Sequence, residues 1–343
     1  MAKDVSPRHA TRKDVADLAG VSTAVVSYVV NDGPRHVAPA TKQRVLDAIE
    51  QLGYRPNASA RALKIGSNGT YGMLVTSVTN MFHATVIEAV DKQMSASGFS
   101  MLLAHGDVDL NRNHTIYNNM VNRGVEGLVI MMSGIDDDEW LAKKTQFPVV
   151  LLDRAHPLFG HVTIGVDYLE GGRLATEHLV QHGRRKIVPI LGPQVERGGG
   201  NLRLRGYMKA MAAGDLEAIE PITTSWTAEG GYAAAVQVLE EHPDVDGLFC
   251  FSDMLAVGAM QALQDRGVRI PQDVAVVSFD GSPASRFSSP ALTSVAQPID
   301  DMAAYAVKAL SEPRPDGFEH KAFPVNLIVR ETCGCTRDLD DRG

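Results

Sequence analysis

From residue 70 onward, short β-branched or aliphatic runs alternate with longer segments of helical periodicity, and this alternation limits the possible folds more than any other feature. Such alternation is typical of parallel sheets covered by helices on both faces. About six such units in each of two halves predict an α/β core of two doubly wound subdomains. Because ligands bind beyond the carboxyl ends of such strands, we expect a cleft between the halves. The predicted strands are 71–75, 99–104, 127–131, 149–152, 187–191, 247–251 and 274–279, and the predicted helices begin near Phe82, Asn111, Asp137, Tyr168, Leu202, Ala228 and Met254.

A different pattern, of three short helices, precedes this core. Thr11 and Asp14 have the spacing of a capping box, Gly20 ends the first helix, and Ser22 can cap a second helix over 23–30. A third helix over 39–52 begins at a proline and ends before a glycine. A helix, a tight turn, a second helix and a bracing helix form a helix-turn-helix, whose second helix enters the major groove of DNA.

A further short helix, 58–64, is predicted after the interruption at 54–57, with Asn57 as its cap. Leu63 at its end could insert into a minor-groove step or pack on the core, and the spacing leaves both interpretations open. The predicted domains are therefore a helix-turn-helix at 1–56, a hinge helix and linker at 57–69, and a core at 70–343. Within the core we expect one subdomain at about 70–164 and 296–324 and another at about 165–295 and 325–343.

Charge is divided unevenly along the chain. Residues 1–64 carry a net charge of +4 and the remainder −12, within a total of −8. A basic segment on an acidic body indicates a polyanionic partner. No apolar run approaches the roughly 20 residues that span a bilayer, the first ten residues do not form a secretory signal, and three cysteines are too few for a disulfide framework. We therefore expect a cytoplasmic protein without a membrane partner.

The stretches KDVADLAGVSTAVVSYVVN at 13–31 and RVLDAIEQLGYRPNASARALK at 44–64 closely resemble the lactose/galactose repressor (LacI/GalR) family of transcription regulators. The resemblance implies that the second helix reads operator DNA and that Leu63 enters the minor groove beside Lys64. Tyr28 departs from the arginine usual in the family and cannot make a bidentate contact to guanine. The predicted DNA-binding residues are Thr11, Ser22, Thr23, Ala24, Ser27, Tyr28, Asn31, Asn57, Ala60, Leu63 and Lys64.

The core also resembles that family and its relatives, the periplasmic sugar-binding proteins, in runs such as DRAHP at 153–157, RLRGY at 203–207 and SDMLAVGAMQAL at 252–263. The resemblance implies a small-molecule effector in the cleft, a sugar or, as a weaker alternative, a purine, for which Arg197 is placed like a contact of the purine-responsive member. The predicted effector-binding residues are Asn80, Phe82, Asp153, Arg197, Arg203, Trp226, Ser252, Asp253 and Asp280.

Several of these residues have a structural alternative. Asp280 follows a buried strand, where it could bind ligand hydroxyls or cap the next turn. Trp226 could stack on a ligand or pack in the core. Ser252 and Asp253 could cap a helix, face the ligand, or do both, and Asp153 could line the cleft or hold the crossing between subdomains.

Other chemistries find little support in the sequence. Neither a Walker A run nor a nucleophile–base pair in a supporting context occurs, so we expect no enzyme and no cofactor. His178 and His182 have the spacing of zinc ligands, but no third ligand is apparent, and Cys333 with Cys335 is interpreted as a pair of free thiols. We therefore predict an allosteric repressor that binds a palindromic operator as a homodimer or tetramer. A transport solute-binding protein would lack the helix-turn-helix, and control by a protein corepressor remains an open variant.

Overall fold

The computed structural model describes residues 10–30, 35–55, 68–106, 110–132, 147–193, 199–312 and 316–335. The chain divides into two units, Met1–Asn68 and Gly69–Gly343, which we call the head and the core. The predicted residues Asn31, Asn57, Ala60, Leu63, Lys64 and Arg197 lie outside the described residues, as does the helix predicted near Asp137.

The described part of the head contains helices α1 (Arg12–Ala19), α2 (Thr23–Val30) and α3 (Pro39–Leu52). The predicted capping box is present, since the Thr11 amide donates to Asp14 Oδ2 over 2.7 Å and the Asp14 amide donates to Thr11 Oγ1 over 3.3 Å. Gly20 and Gly53 end α1 and α3 at φ 65° and 59°, a left-handed conformation that favours glycine. Local sequence therefore sets where these helices begin and end.

The head packs around eight buried side chains: Val15, Ala16, Ala19, Val26, Val29, Val45, Ala48 and Tyr54. The spacing of Val15, Leu18 and Ala19 in the sequence predicts that all three lie on the buried face of α1, but the Leu18 side chain is 47% exposed. At about 100° per residue, Leu18 lies beside Val15 but outside the stripe that Val15, Ala16 and Ala19 form, on the side away from Ala16.

The described core elements, in chain order, are β1 (Thr70–Val75), α4 (Met81–Ala96), β2 (Ser100–His105), α5 (Leu110–Asn122), β3 (Leu128–Met131), β4 (Val149–Leu152), β5 (Val162–Val166), α6 (Tyr168–Gln181), β6 (Ile187–Leu191), α7 (Gly199–Ala213), β7 (Ile222–Thr223), α8 (Ala228–Glu241), β8 (Gly247–Cys250), α9 (Asp253–Asp265), β9 (Ala275–Asp280), α10 (Pro283–Phe287), β10 (Thr293–Ala296), α11 (Ile299–Leu310), β11 (Glu319–Phe323) and β12 (Asn326–Ile328). They form two six-stranded sheets, of order β11-β5-β4-β3-β1-β2 and β12-β10-β9-β8-β6-β7. The pairs are parallel except β10 with β12. The predicted architecture of two doubly wound parallel sheets is confirmed.

Central and edge strands differ in composition. β3 and β4 are buried along their whole length, as expected of strands covered by helices on both faces. The edge strands β2 and β11 carry partly exposed and polar side chains, which reduces pairing with other chains. The strands β5, β7, β10, β11 and β12 were not predicted. Of these, β7 and β12 have only two and three residues and β11 is polar, whereas β5 is buried along its whole length and was missed.

The chain passes between the sheets three times. It leaves the first sheet after Val166, returns after Ala296, and crosses once more between Phe323 and Asn326. Because parallel strands of one sheet end at the same edge, side chains just beyond β1, β4, β8, β9 and β10 collect at the carboxyl edges of the two sheets. Among the described residues, no helix is long and apolar enough to span a bilayer.

Candidate DNA-reading helix and effector cleft

Helix α2 combines a buried face with an exposed one. Val26 and Val29 lie in the core of the head, whereas Thr23 and Ala24 are exposed and Ser27 and Tyr28 are half-buried. Ser22 Oγ accepts the Val25 amide over 3.3 Å and so caps the start of the helix. The exposed first turn of α2 can therefore approach another macromolecule, while the valines hold the helix in the head.

In the core, Asp280 lies at the end of β9 and is only 4% exposed. Its backbone has φ 114°, a conformation that L side chains rarely adopt and that concentrates at functional sites. Burial raises the pKa of Asp280 well above its usual range; Asp253 acts in the same direction and Arg203 opposes it. Its Oδ1 accepts a hydrogen bond of 3.1 Å from Gln297 Nε2.

Arg203 lies beside this carboxylate, against two aromatic rings. Its guanidinium carbon is 4.2 Å from the ring centre of Phe279 and 4.8 Å from that of Tyr168. The side chain is almost wholly buried, so the cation is stabilised by the rings and by the charge of Asp280 rather than by water. In this position, the Arg203 guanidinium could donate a hydrogen bond to a bound molecule.

Tyr168 links the two sheets. The Tyr168 hydroxyl, at the start of α6, donates to Oδ1 of Asp153, which follows β4 in the first sheet, over 2.5 Å. Burial, reinforced by Asp153, raises the pKa of Tyr168 well above its usual range, so the phenol keeps its proton. Asp153 therefore fixes Tyr168 to the first sheet, close to where the chain crosses between the subdomains. It also lies near Asp280.

Three buried polar atoms of residues beside Asp280 or shortly after it in the chain have no hydrogen-bond partner of good geometry within the described part of the chain: Arg203 Nε, Gln297 Oε1, and Ser282 Oγ, whose residue also contacts Asp253. Buried polar atoms in folded proteins are nearly always paired with protein, water or ligand. We call Asp280, Arg203, Ser282 and Gln297 the strand-end cluster. Its unpaired donor and acceptor atoms are what a bound polar molecule would satisfy.

Asp253, one of the predicted effector-binding residues, has a different environment. Its Oδ1 accepts hydrogen bonds from the Ser278 hydroxyl over 2.6 Å and the Ser294 hydroxyl over 2.7 Å, and its Oδ2 accepts the Ser282 amide over 2.6 Å. We call these groups the serine network. Burial raises the pKa of Asp253, and the hydrogen bonds of the network oppose that shift. Ser252 caps α9 by accepting the Leu255 amide over 3.2 Å.

The other predicted cleft residues are also engaged within the protein. Asn80 caps α4 by accepting the amides of Phe82 and His83, and Phe82 is 5% exposed within the core. The Trp226 ring packs on Gly192, where a β-carbon would lie 2.1 Å from the ring. The structure thus shows packing roles for these residues, and their contact with an effector stays a prediction.

Sequence reasoning did not select Tyr168, Ser282, Gln297 or His83 as site residues. Burial lowers the pKa of His83, and the nearby charge of Asp153 opposes part of that shift. Tyr168 follows β5 and Gln297 follows β10, where parallel strands deliver side chains to a ligand site, but neither strand was predicted, so this signal became visible only in the structure.

A helix-turn-helix head with an exposed second helix, joined in one chain to a two-sheet core with polar groups at its strand ends, defines a ligand-responsive DNA-binding regulator. Comparison with known proteins agrees: residues 11–57 match the lacI family of bacterial regulatory proteins, and residues 176–333 match the periplasmic binding protein-like domain. The chain is 34% identical over 336 residues to the HTH-type transcriptional repressor PurR of Photobacterium profundum, with 94% of this chain and 98% of the relative covered. The chain belongs to the LacI family of transcriptional repressors, as the sequence predicted.

Solved structures give the same result. A complex of the transcriptional regulator CelR with cellobiose superposes with a TM-score of 0.70 at 30% identity, covering 94% of this chain and 99% of CelR. The lac repressor dimer bound to operator and the anti-inducer ONPF superposes with a TM-score of 0.81 at 26% identity, covering 95% and 99%. These relatives are transcriptional regulators rather than enzymes, with a DNA-binding domain and a ligand-binding core.

Proposed function

We propose that this repressor is controlled by a neutral, polyhydroxylated effector, a sugar or sugar derivative, bound at the strand-end cluster between the two halves of the core. The observation that carries the proposal is the buried carboxylate of Asp280 together with the unpaired polar atoms of its neighbours Arg203 and Gln297. The proposal further places the protein in the cytoplasm as a homodimer on a palindromic operator, since one head reads too few base pairs for specific binding in a genome.

The chemistry of the cluster supports a polyol. A carboxylate accepts hydrogen bonds from two neighbouring hydroxyls, while Arg203 Nε donates to a hydroxyl oxygen and Gln297 Oε1 accepts from another. The positive charge of Arg203 already compensates the negative charge of Asp280. A charged effector would leave one buried charge unpaired, which is costly, so a neutral ligand fits better.

A purine base is the second candidate, because the curated relatives that cover most of this chain carry the name PurR. The resemblance assigns Arg197 to such a ligand. Asp280 could then accept ring N–H groups, and the stacked rings of Tyr168 and Phe279, with centroids 6.1 Å apart, lie beside Arg203.

Calorimetry on the full chain separates these classes. Neutral mono- and disaccharides, the same sugars as phosphate esters, and purine bases are titrated in turn, and the binding ligand is then tested for its effect on operator affinity. We expect a neutral saccharide to bind with a dissociation constant in the micromolar range or tighter. Tight binding of a purine base would replace the sugar proposal, and binding of the phosphate esters alone would contradict the neutral-ligand argument.

The DNA-reading part of the proposal is tested separately. We propose that α2 presents Thr23, Ala24, Ser27 and Tyr28 to base edges and that Leu63 enters the minor groove when two hinges meet on DNA. Leu63→Ala should weaken binding to the operator strongly and binding to random duplex little, since phosphate contacts dominate non-specific affinity. An equal loss on both duplexes would show that Leu63 only packs on the core.

A further inference from the structure

Two histidine and two cysteine side chains lie together at the end of α6, away from the strand-end cluster. They are His178 of the helix, His182 directly after its last residue, and Cys333 and Cys335 of the segment after β12, and one ligand atom from each lies within 4.8 Å of all the others. Cys335 Sγ is 3.1 Å from His182 Nε2 and 3.8 Å from His178 Nε2. The two imidazole centroids are 4.7 Å apart. The third and fourth ligands that the sequence did not reveal are therefore present.

Local structure explains the arrangement. Residues four apart on a helix share a face, so both imidazoles of α6 point to the same side. Gly334 adopts φ 106°, which lets the chain turn between the two cysteines, and a β-carbon there would lie 3.6 Å from His182 Nδ1. Cys333 is completely buried and is held by the Thr293 hydroxyl, which donates to its sulfur over 3.1 Å.

The distances are close to those of a tetrahedral metal site. Zinc–sulfur bonds of about 2.3 Å and zinc–nitrogen bonds of about 2.0–2.1 Å give ligand–ligand separations of about 3.3–3.8 Å in a tetrahedron. Separations within 4.8 Å reach those values with side-chain movements of about 1 Å or less. Two thiolates and two neutral imidazoles would balance the charge of one divalent ion.

We propose that His178, His182, Cys333 and Cys335 form a closed Cys2His2 site for Zn²⁺, which joins α6 to the C-terminal segment of the core. Thiolate and imidazole ligands without carboxylates select zinc over magnesium or calcium, and four protein ligands leave no open position for catalysis. A metal ion here would also hold the segment that contacts the second sheet. Thr332, next to Cys333, accepts the Thr293 amide of β10 and donates to the Val276 carbonyl of β9.

The test uses the full-length protein after chelation, kept reduced by a phosphine. Co²⁺ is titrated in, and Zn²⁺ is then added in competition. We expect one Co²⁺ per chain with the intense visible bands of tetrahedral cobalt and a thiolate charge-transfer band, both removed by one equivalent of Zn²⁺. Because zinc binds the folded state, saturating Zn²⁺ should also raise the melting temperature of the core by about 5 °C or more.

The variant Cys335→Ser removes one ligand at a half-buried position, so folding should be retained, and His182→Gln provides a second. Each should weaken Co²⁺ binding at least about 100-fold, since loss even of an outer partner costs 10–100-fold. His242→Gln is the matched control, because His242 also follows the last turn of a helix. The Co²⁺ affinity of this variant should equal that of the wild type. An octahedral cobalt spectrum, a lack of stoichiometric binding, or wild-type affinity in Cys335→Ser would overturn the proposal, and so would a Cys333–Cys335 disulfide that persists under the phosphine.

Discussion

The serine network and the strand-end cluster each surround a buried aspartate of the same half of the core, yet they satisfy it differently. Asp253 accepts three hydrogen bonds that join α9, β9 and β10. Asp280 accepts one from Gln297, and three polar atoms of its cluster have no partner within the described residues. The pKa of both carboxyls is raised by burial. The cost of burying a charge is therefore offset by protein groups in the serine network and, we infer, by a ligand in the strand-end cluster.

The largest effect is expected from Asp253→Ala. The substitution leaves the Ser294 hydroxyl and the Ser282 amide without an acceptor in a dry interior and leaves the Ser278 hydroxyl with only a long bond to the Thr293 carbonyl, which should cost about 3–5 kcal/mol of the free energy of unfolding. Urea unfolding of the core, followed by circular dichroism, measures it. Asp265→Ala is the control, because Asp265 lies at the other end of α9 and its hydrogen bonds from Tyr232 and Gln261 are exposed to water, so its loss should stay below about 1.5 kcal/mol. Equal losses in the two variants would remove the structural distinction of Asp253.

Asp280→Asn should reverse this pattern. Loss of a charged partner of the effector costs about 2–5 kcal/mol of binding, or at least about 30-fold in affinity. The free energy of unfolding should stay the same or rise, since a buried charge at a strained position is removed. Effector titration and urea unfolding on the same preparation measure both quantities, and operator affinity without effector should be nearly unchanged. A variant with full effector affinity and lower stability would make Asp280 a structural residue like Asp253.

The pH dependence of stability sharpens the same comparison. Because burial raises the pKa of Asp280 above its unfolded value of about 3.9, the folded protein keeps this proton to a higher pH than the unfolded chain does. The stability contributed by the group is therefore complete below that unfolded value and is lost as pH rises through the folded pKa. Asp280→Asn should gain stability relative to wild type over this interval, by about 1.4 kcal/mol for each unit of the shift. A difference that stays constant with pH would contradict the assignment.

The smallest effect on stability is expected where a hydrogen-bonded carboxylate lies close to the surface. In the head, Asp14 accepts the Thr11 amide, and Thr11 Oγ1 accepts the Asp14 amide in return. Water can replace these partners, so Thr11→Ala should cost only about 1 kcal/mol, and only in the head. Amide hydrogen exchange in α1, compared with exchange in β8 of the core, measures the loss. A loss as large as that of Asp253→Ala would show that burial is not the deciding factor.

The sequence alone determined what depends on near neighbours and on buried apolar patterns. The ends of α1 and α3 follow from Thr11, Asp14, Pro39 and Gly53, because capping groups act within one turn. Strands 149–152 and 187–191 were predicted to the residue, because central parallel strands are continuously apolar. The family and the two-sheet architecture followed from motifs and alternation of this kind.

The tertiary structure decided what depends on partners distant along the chain. The edge strands β11 and β12 exist through pairing with β5 and β10, which lie far from them in the sequence, and no local periodicity records such pairing. Asp253 and Asp280 look alike in sequence, as each falls close to the end of a strand, and only the reach of Ser278, Ser282 and Ser294 separates them. In the sequence, His178 and His182 have no further candidate ligand beside them. The fold brings Cys333 and Cys335, roughly 150 residues away in the chain, next to the two histidines. Hydrogen bonding and metal coordination depend on distance in space rather than in sequence.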